Sequence, residues 1–170
     1  MYQVNKGSEI GVDKIKETCN TLLQQIDQLS NVADNFRKLS TAQNLDETIF
    51  DIRDVIFNCN SLYDTDQHTE INCDFEGENW FVKADQMKII SIINNLLSNA
   101  KAATENTEHP SIQVYCNSTA GIITLKVTDN GIGIPLDIMD RLTTPYFTTK
   151  TKGTGLGLAI TNEAVRQMQG

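Results

Sequence analysis

The chain has 170 residues, a formal net charge of −8, 39% hydrophobic residues and four cysteines. That length holds one ordinary domain with an appendage, and the apolar content is enough for a core, which excludes a disordered chain. The acidic balance excludes an extended nucleic-acid footprint; no apolar run reaches the roughly 18 residues of a membrane span; and Cys19, Cys59, Cys73 and Cys116 form no C-x-x-C pair for zinc or redox chemistry, reading instead as reduced, mostly buried thiols.

Residues 1–11 carry polar and glycine positions with little periodicity and read as a lead segment. Then Ile15, Cys19, Leu22, Ile26, Leu29, Ala33 and Phe36 step alternately by four and three, a heptad seam. A strip that narrow is buried by another helix, so residues 12–42 are expected to form a long coiled-coil-like helix.

From residue 45 the pattern is α/β. Glu47–Phe50 is expected as a strand and residues 51–63 as a helix, with Asp51 as its N-cap and Ile52, Val55, Ile56, Cys59 and Leu62 at helical spacing. Thr69–Phe75 alternates as a half-exposed strand does, and Trp80–Lys83 forms the next one, with Trp80 a core or sheet-edge aromatic. Asp85 is placed to cap a helix over 85–104. On a wheel of 100° per residue, Lys88, Ser91, Asn95, Asn99 and Ala102 fall within roughly 80° of arc. Ile89, Ile92, Ile93, Leu96, Leu97, Ala100 and Ala103 fill the opposite side. Such a helix packs a sheet and shows a narrow polar stripe elsewhere.

After a polar loop over 105–110, Ser111–Asn117 and Ile122–Thr128 alternate as a hairpin joined by Ser-Thr-Ala-Gly. The second strand runs into Asp129-Asn-Gly-Ile-Gly-Ile-Pro135. A short helix over 136–141, a lid over 143–154 and a last helix over 155–168 complete the chain, with Leu156, Leu158, Ile160, Ala164, Val165 and Met168 mostly inward. Five of the ten glycines lie between Gly131 and Gly157, a density that suits a backbone held close to a ligand or turning through positive φ. Lys101, Arg141, Lys150 and Lys152 are bases near these segments, where a nucleotide's charge would need them.

Taken together, Asn95-x-x-x-Asn99-Ala, Asp129-x-Gly-x-Gly133, Pro145-Tyr-Phe-Thr-Thr-Lys150 and Gly153-x-Gly-x-Gly157 resemble the N, G1, F and G2 boxes of sensor histidine kinases, within the ATPase superfamily of Hsp90, type II topoisomerases and MutL. The Thr-Thr-Lys ending and the Gly-Thr-Gly-Leu-Gly-Leu wording resemble most the nitrogen-regulation type. The resemblance implies an α+β two-layer sandwich, the Bergerat or histidine-kinase ATPase fold, over 45–170, preceded by the second helix of a dimerisation hairpin within 12–42.

It also implies ATP and Mg²⁺ as cofactors. Asn99 would hold the metal, an oxygen-seeking cation, and Asn95 would hydrogen-bond the phosphate–metal assembly or its water shell. Asp129 would accept from the adenine amino group. Gly131, Gly133 and Ile134 would lie along the ring. Thr148, Thr149, Lys150, Gly153, Thr154, Gly155, Leu156, Gly157 and Leu158 would enclose the phosphates, where a helix N-terminus favours anions. Asn95 and Lys150 are the residues expected to take part in the chemistry, Lys150 by neutralising the outer phosphate.

The expected partners are a second copy of the chain, through the heptad helix, and the receiver domain of a response regulator, with no nucleic acid and no membrane contact. The expected place is the cytoplasm, as a free protein or the inner part of a membrane sensor. Neither His68 nor His109 sits in the family's phosphoacceptor setting, so that histidine is expected on a helix outside this chain, and the last strands of the domain are likewise missing after Gly170.

Two departures from the family pattern carry meaning. The position three residues after Asn99, often basic, is Ala102, and the base is instead Lys101, which the wheel puts off the stripe. Asn95 stands where the Hsp90 and gyrase branches place a water-activating Glu, so phosphoryl transfer is expected rather than rapid hydrolysis. The competing readings are an ATP-gated interaction module resembling anti-sigma factors, and a nucleotide-binding scaffold without kinase activity; the heptad helix favours the kinase.

Overall fold

The computed structural model describes residues 14–16, 18–19, 46–63, 69–150 and 153–168. The chain divides into two compact units, Met1–Ala42 and Gln43–Gly170. In the first, residues 14–16 and 18–19 are helical and exposed, and Thr18 Oγ1 donates to the Lys14 carbonyl at 2.8 Å. The rest of the expected heptad helix, with His68 and Lys152, lies outside the described residues.

The second unit runs β1 (Glu47–Asp51), α1 (Ile52–Tyr63), β2 (Glu70–Gly77), β3 (Phe81–Asp85), α2 (Gln86–Thr104), β4 (Ser111–Thr119), β5 (Ile122–Asp129), a 3-10 turn (Leu136–Arg141) and α3 (Gly157–Gln167). Antiparallel β1 and β3 form one small sheet. The other has the order β2-β4-β5, with β2 parallel and β5 antiparallel to β4. Helices on one side and sheet on the other make the α+β, two-sheet architecture that the box pattern implied.

The core follows from two periodicities. On α1, Ile52, Val55, Ile56 and Cys59 recur at helical spacing and are buried; on β4, Ile112, Val114 and Cys116 alternate and are buried. Ile93, Leu97 and Ala100 of α2 close this cluster from the helical side. Each fully buried Ile or Leu contributes about 1.5–3 kcal/mol by leaving water. Trp80 is buried at its edge, packed edge-on against Phe75 with ring centroids 5.6 Å apart.

Local chemistry sets the element ends. Asp51 Oδ1 accepts from the Arg53 amide at 2.9 Å at the start of α1, and Asp85 Oδ1 accepts from the Lys88 amide at 3.1 Å as the N-cap of α2. The β4–β5 hairpin closes on Ala120 and Gly121, at φ of 53° and 80°. Both central residues of a tight turn must lie at positive φ for the strands' twist to match.

Two expectations change. The last helix begins at Gly157, not 155, because Gly155 at φ 66° is left-handed and cannot start a right-handed turn. Its most buried member is Ala159, while Leu158 and Ile160 are half-buried. Thr104 is buried at the end of α2, and its hydroxyl serves the carbonyls of Ala100 and Lys101 at 3.2 and 3.1 Å, so burial leaves nothing unpaired.

Candidate functional site

The polar stripe of α2 meets two different neighbours. At its N-terminal end Lys88 Nζ donates to Gln167 Oε1 at 2.7 Å, and Asn95 Nδ2 donates to Thr161 Oγ1 at 2.8 Å; both partners lie on α3. One turn further on, Asn99 Oδ1 accepts from Lys150 Nζ at 2.8 Å. The stripe is thus largely covered by the chain's own last segment.

Asp129 ends β5, where the strand delivers its carboxylate to the glycine turn. Oδ1 accepts from the Gly131 amide at 3.0 Å, the local turn that a short acidic side chain makes with the backbone two residues on. The Lys150 ammonium feels two opposing effects: partial burial pushes its pKa down, and the nearby Asp129 carboxylate pushes it up. Asn99 by hydrogen bond and Asp129 by its field therefore act on one cationic group.

The 129–135 loop is pinned at named points. Asn130 Nδ2 donates to the His109 carbonyl at 2.7 Å and its Oδ1 accepts from the Ser111 amide at 2.9 Å, while the Ile132 amide donates to Ala103 O at 3.2 Å. Gly131 is held against the end of α2: a Cβ there would lie 2.4 Å from the Ala103 carbonyl oxygen. Helix–loop packing alone therefore requires glycine at this position. Gly133 is left-handed at φ 69° with open space around it. Ile134 is exposed, as are Ile132 and Leu136 beside it.

In the following segment Thr148 Oγ1 accepts from the Lys150 amide at 3.1 Å, and the Gly153 amide donates to Lys150 O at 3.1 Å. Thr149 is exposed, and Thr154 and Leu158 are half-buried. Gly155 is pressed on the backbone of Tyr146 and Phe147, with a Cβ 2.5 Å from the Tyr146 carbonyl carbon. Leu156 is fully buried and anchors the run as α3 begins. Among the described residues no side chain caps that helix start.

Two of the four bases named from the sequence turn elsewhere. Lys101 Nζ reaches the Tyr63 carbonyl at 3.4 Å, because its position on α2 faces α1. Arg141 lies over the Phe147 ring, 4.3 Å from the centroid, a cation–π contact that occupies its guanidinium. A cavity of about 410 Å³, lined by Tyr63, Thr69, Ser98 and Lys101 among others, opens on that side, away from Asn99.

Sequence reasoning missed Asn130, Thr161 and the Ala103 carbonyl. Asn130 carried a usable signal, since a short amide next to a glycine turn is a common backbone tie. Thr161 stands four residues after Gly157, on the same face of the helix.

Among the described residues no group of three or more His, Cys, Asp or Glu side chains forms a metal site, and no helix is long and apolar enough to cross a membrane.

The histidine kinase-, DNA gyrase B- and HSP90-like ATPase family matches residues 84–170, about half of the chain. The chain is 43% identical over 86 residues to the C4-dicarboxylate transport sensor protein DctB of Rhizobium meliloti (strain 1021), covering 51% of this chain and 14% of that protein. It is 30% identical over 157 residues to the sensor histidine kinase ZraS of Escherichia coli (strain K12), covering 91% of this chain and 33% of that one. It therefore spans about a third or less of the length of these relatives. The nucleotide-free catalytic domain of histidine kinase ThkA superposes with a TM-score of 0.61 at 30% identity, covering 71% of this chain and 80% of that one. The chain belongs to the histidine kinase-, DNA gyrase B- and HSP90-like ATPase family, and it carries the catalytic ATPase domain of a sensor histidine kinase.

Proposed function

We propose that this chain binds ATP with Mg²⁺ and directs the γ-phosphoryl group to a histidine on a dimerisation helix, for relay to an aspartate of a response regulator. The observation that carries the reading is the Lys150 ammonium held 2.8 Å from Asn99 Oδ1 and within the field of Asp129. An amide oxygen that already attracts a cation is a neutral, hard donor of the kind magnesium accepts.

In this reading Asn99 holds the metal, and Lys150 leaves it for the outer phosphate. When bound, magnesium neutralises charge on the triphosphate oxygens. Asp129 accepts from the adenine amino group. Gly153, Thr154, Gly155 and Leu156 bring the backbone to the open start of α3, where N–H groups and the helix dipole orient phosphate oxygens. Asn95 carries no carboxylate, so water is not activated there and the phosphoryl group is kept for a side-chain acceptor. Residues 12–42 supply the dimer contact in this reading, and the receiver domain approaches from outside the unit Gln43–Gly170.

Calorimetric titration of the chain with ATP, with and without Mg²⁺, tests this. Binding is expected to need Mg²⁺, and Asn99→Ala is expected to lose about tenfold to hundredfold in Mg-ATP affinity. Label from the γ-position is expected on an added dimerisation-hairpin subunit and not on the chain alone. An Asn99→Ala variant that binds Mg-ATP like the parent removes the metal assignment, and binding without transfer to the added subunit points to ATP-gated docking.

A further inference from the structure

The residue after β5 completes the strand's ladder with its side chain. Along the β4–β5 pair the last aligned residues are Ile112 and Asp129, so the next rung would join Ser111 to Asn130. In a hydrogen-bonded antiparallel pair each residue gives its N–H to the other's carbonyl. Here the Asn130 N–H donates to Ser111 O at 3.2 Å, but the Ser111 N–H donates to Asn130 Oδ1 at 2.9 Å. A side-chain oxygen stands in for the backbone carbonyl. The chain can therefore leave the sheet toward the glycine turn while its last rung stays closed.

Asn130 Nδ2 donates to the His109 carbonyl at 2.7 Å, on the other side of Pro110, which has no N–H of its own to offer. Both partners are backbone groups, one able only to donate and the other only to accept, so the orientation of this amide is fixed. Asn130 is also the middle residue of the turn in which Asp129 Oδ1 accepts from the Gly131 amide at 3.0 Å. An exposed aspartate samples three staggered χ1 wells. The turn bond selects among them, and it depends on the backbone at residue 130, which the side-chain amide ties to the start of β4.

We infer that Asn130 is a positioning residue for base recognition: its side-chain amide closes the end of β5 and so holds the Asp129 carboxylate in the orientation that meets the adenine amino group. This rests on the assignment of Asp129 to adenine above. In this role Asn130 acts through Asp129 and needs no contact with the nucleotide. Without the tie the carboxylate returns to its three wells, a productive fraction of about one-third, and the turn loosens as well. Affinity for the adenine nucleotide then falls about threefold to tenfold.

The test titrates the full chain, Asn130→Ala, Asp129→Ala and the double variant calorimetrically with Mg-ATP and with Mg-inosine triphosphate, whose base carries an oxo group where adenine carries the amino group. The parent is expected to prefer ATP. Asn130→Ala is expected to lose about threefold to tenfold for ATP and nothing for inosine triphosphate, with an unchanged urea midpoint because residues 129 and 130 are both exposed. Asn130→Ser, which keeps an oxygen for the Ser111 N–H, is expected to fall between the parent and Asn130→Ala. In the Asp129→Ala background, Asn130→Ala is expected to cost nothing further, because the group it acts through is gone. A structural prop alone would weaken both nucleotides together and lower the midpoint. Equal loss for the two nucleotides, full additivity in the double variant, or ATP binding by Asn130→Ala that matches the parent overturns the proposal. A parent that binds the two nucleotides alike overturns the adenine assignment first, and this inference with it.

Discussion

The described residues from Asp129 to Gly155 include none that is buried, whereas β4 buries Ile112, Val114 and Cys116 in alternation and α2 buries Ile93, Leu97 and Ala100 against them. Both regions are specified, but by different means. The sheet–helix core is held by apolar area removed from water, a non-directional term that scales with contact. The glycine segment is held by a few directional ties: Asn130 to His109 and Ser111, Gly131 against Ala103, Lys150 to Asn99. A segment fixed that way can exchange partners at little cost, because each tie can be remade to a ligand or to water. A core cannot, since every displaced side chain leaves a void.

Substitutions in the two regions should therefore separate stability from binding. The largest stability effect is expected at Leu97, fully buried on α2. Leu97→Ala should lower unfolding free energy by about 2–5 kcal/mol, read from urea denaturation followed by circular dichroism. If it left stability intact, the core side of the comparison would be wrong.

In the exposed segment the order reverses. Asp129→Ala is expected to change stability by no more than about 0.5 kcal/mol, as surface positions usually do. It should nonetheless cost ATP affinity about tenfold to hundredfold, because an adenine amino group would lose its acceptor in a desolvated place. Calorimetry and denaturation on the same sample measure both. A loss of stability with unchanged affinity would invert the assignment.

A pH effect is confined to the alkaline range. Burial pushes the Cys116 thiol up to about 11 from an ordinary 9.0. Between those values the unfolded chain releases this proton and the folded chain keeps it, so unfolding gains from each rise in pH. Stability is expected to be unaffected by this group below pH 9 and to fall from there toward 11. Cys116→Val should flatten that alkaline slope. In parallel, exposed Cys19 should react with a thiol reagent well before Cys59 and Cys116, which are buried.

Much of this was legible without coordinates, and for identifiable reasons. The cap at Asp85, the alternation of β4 and the spacing of Ile52, Val55, Ile56 and Cys59 are short-range signals, set by the backbone's own periods and hydrogen-bonding needs. What the sequence did not show is long-range. Gly131 is a glycine because of Ala103, which only packing brings beside it. Lys101, which the helical wheel already puts off the polar stripe, is directed to Tyr63 on a segment that only packing brings near. Gly155 is left-handed, and a side chain there would collide with the backbone of Tyr146 and Phe147, contacts that no residue pattern announces.

The sequence by itself determined which chemistry is present: two asparagines one helical turn apart, an aspartate at a strand's end, and glycines leading into a helix. Only the tertiary structure decided how those groups are used, giving Asn95 to Thr161 and Asn99 to Lys150 across 66 and 51 residues of chain. The physical reason is that periodicity specifies which face of a helix a side chain occupies, while the identity of its partner depends on which distant segment packs against that face.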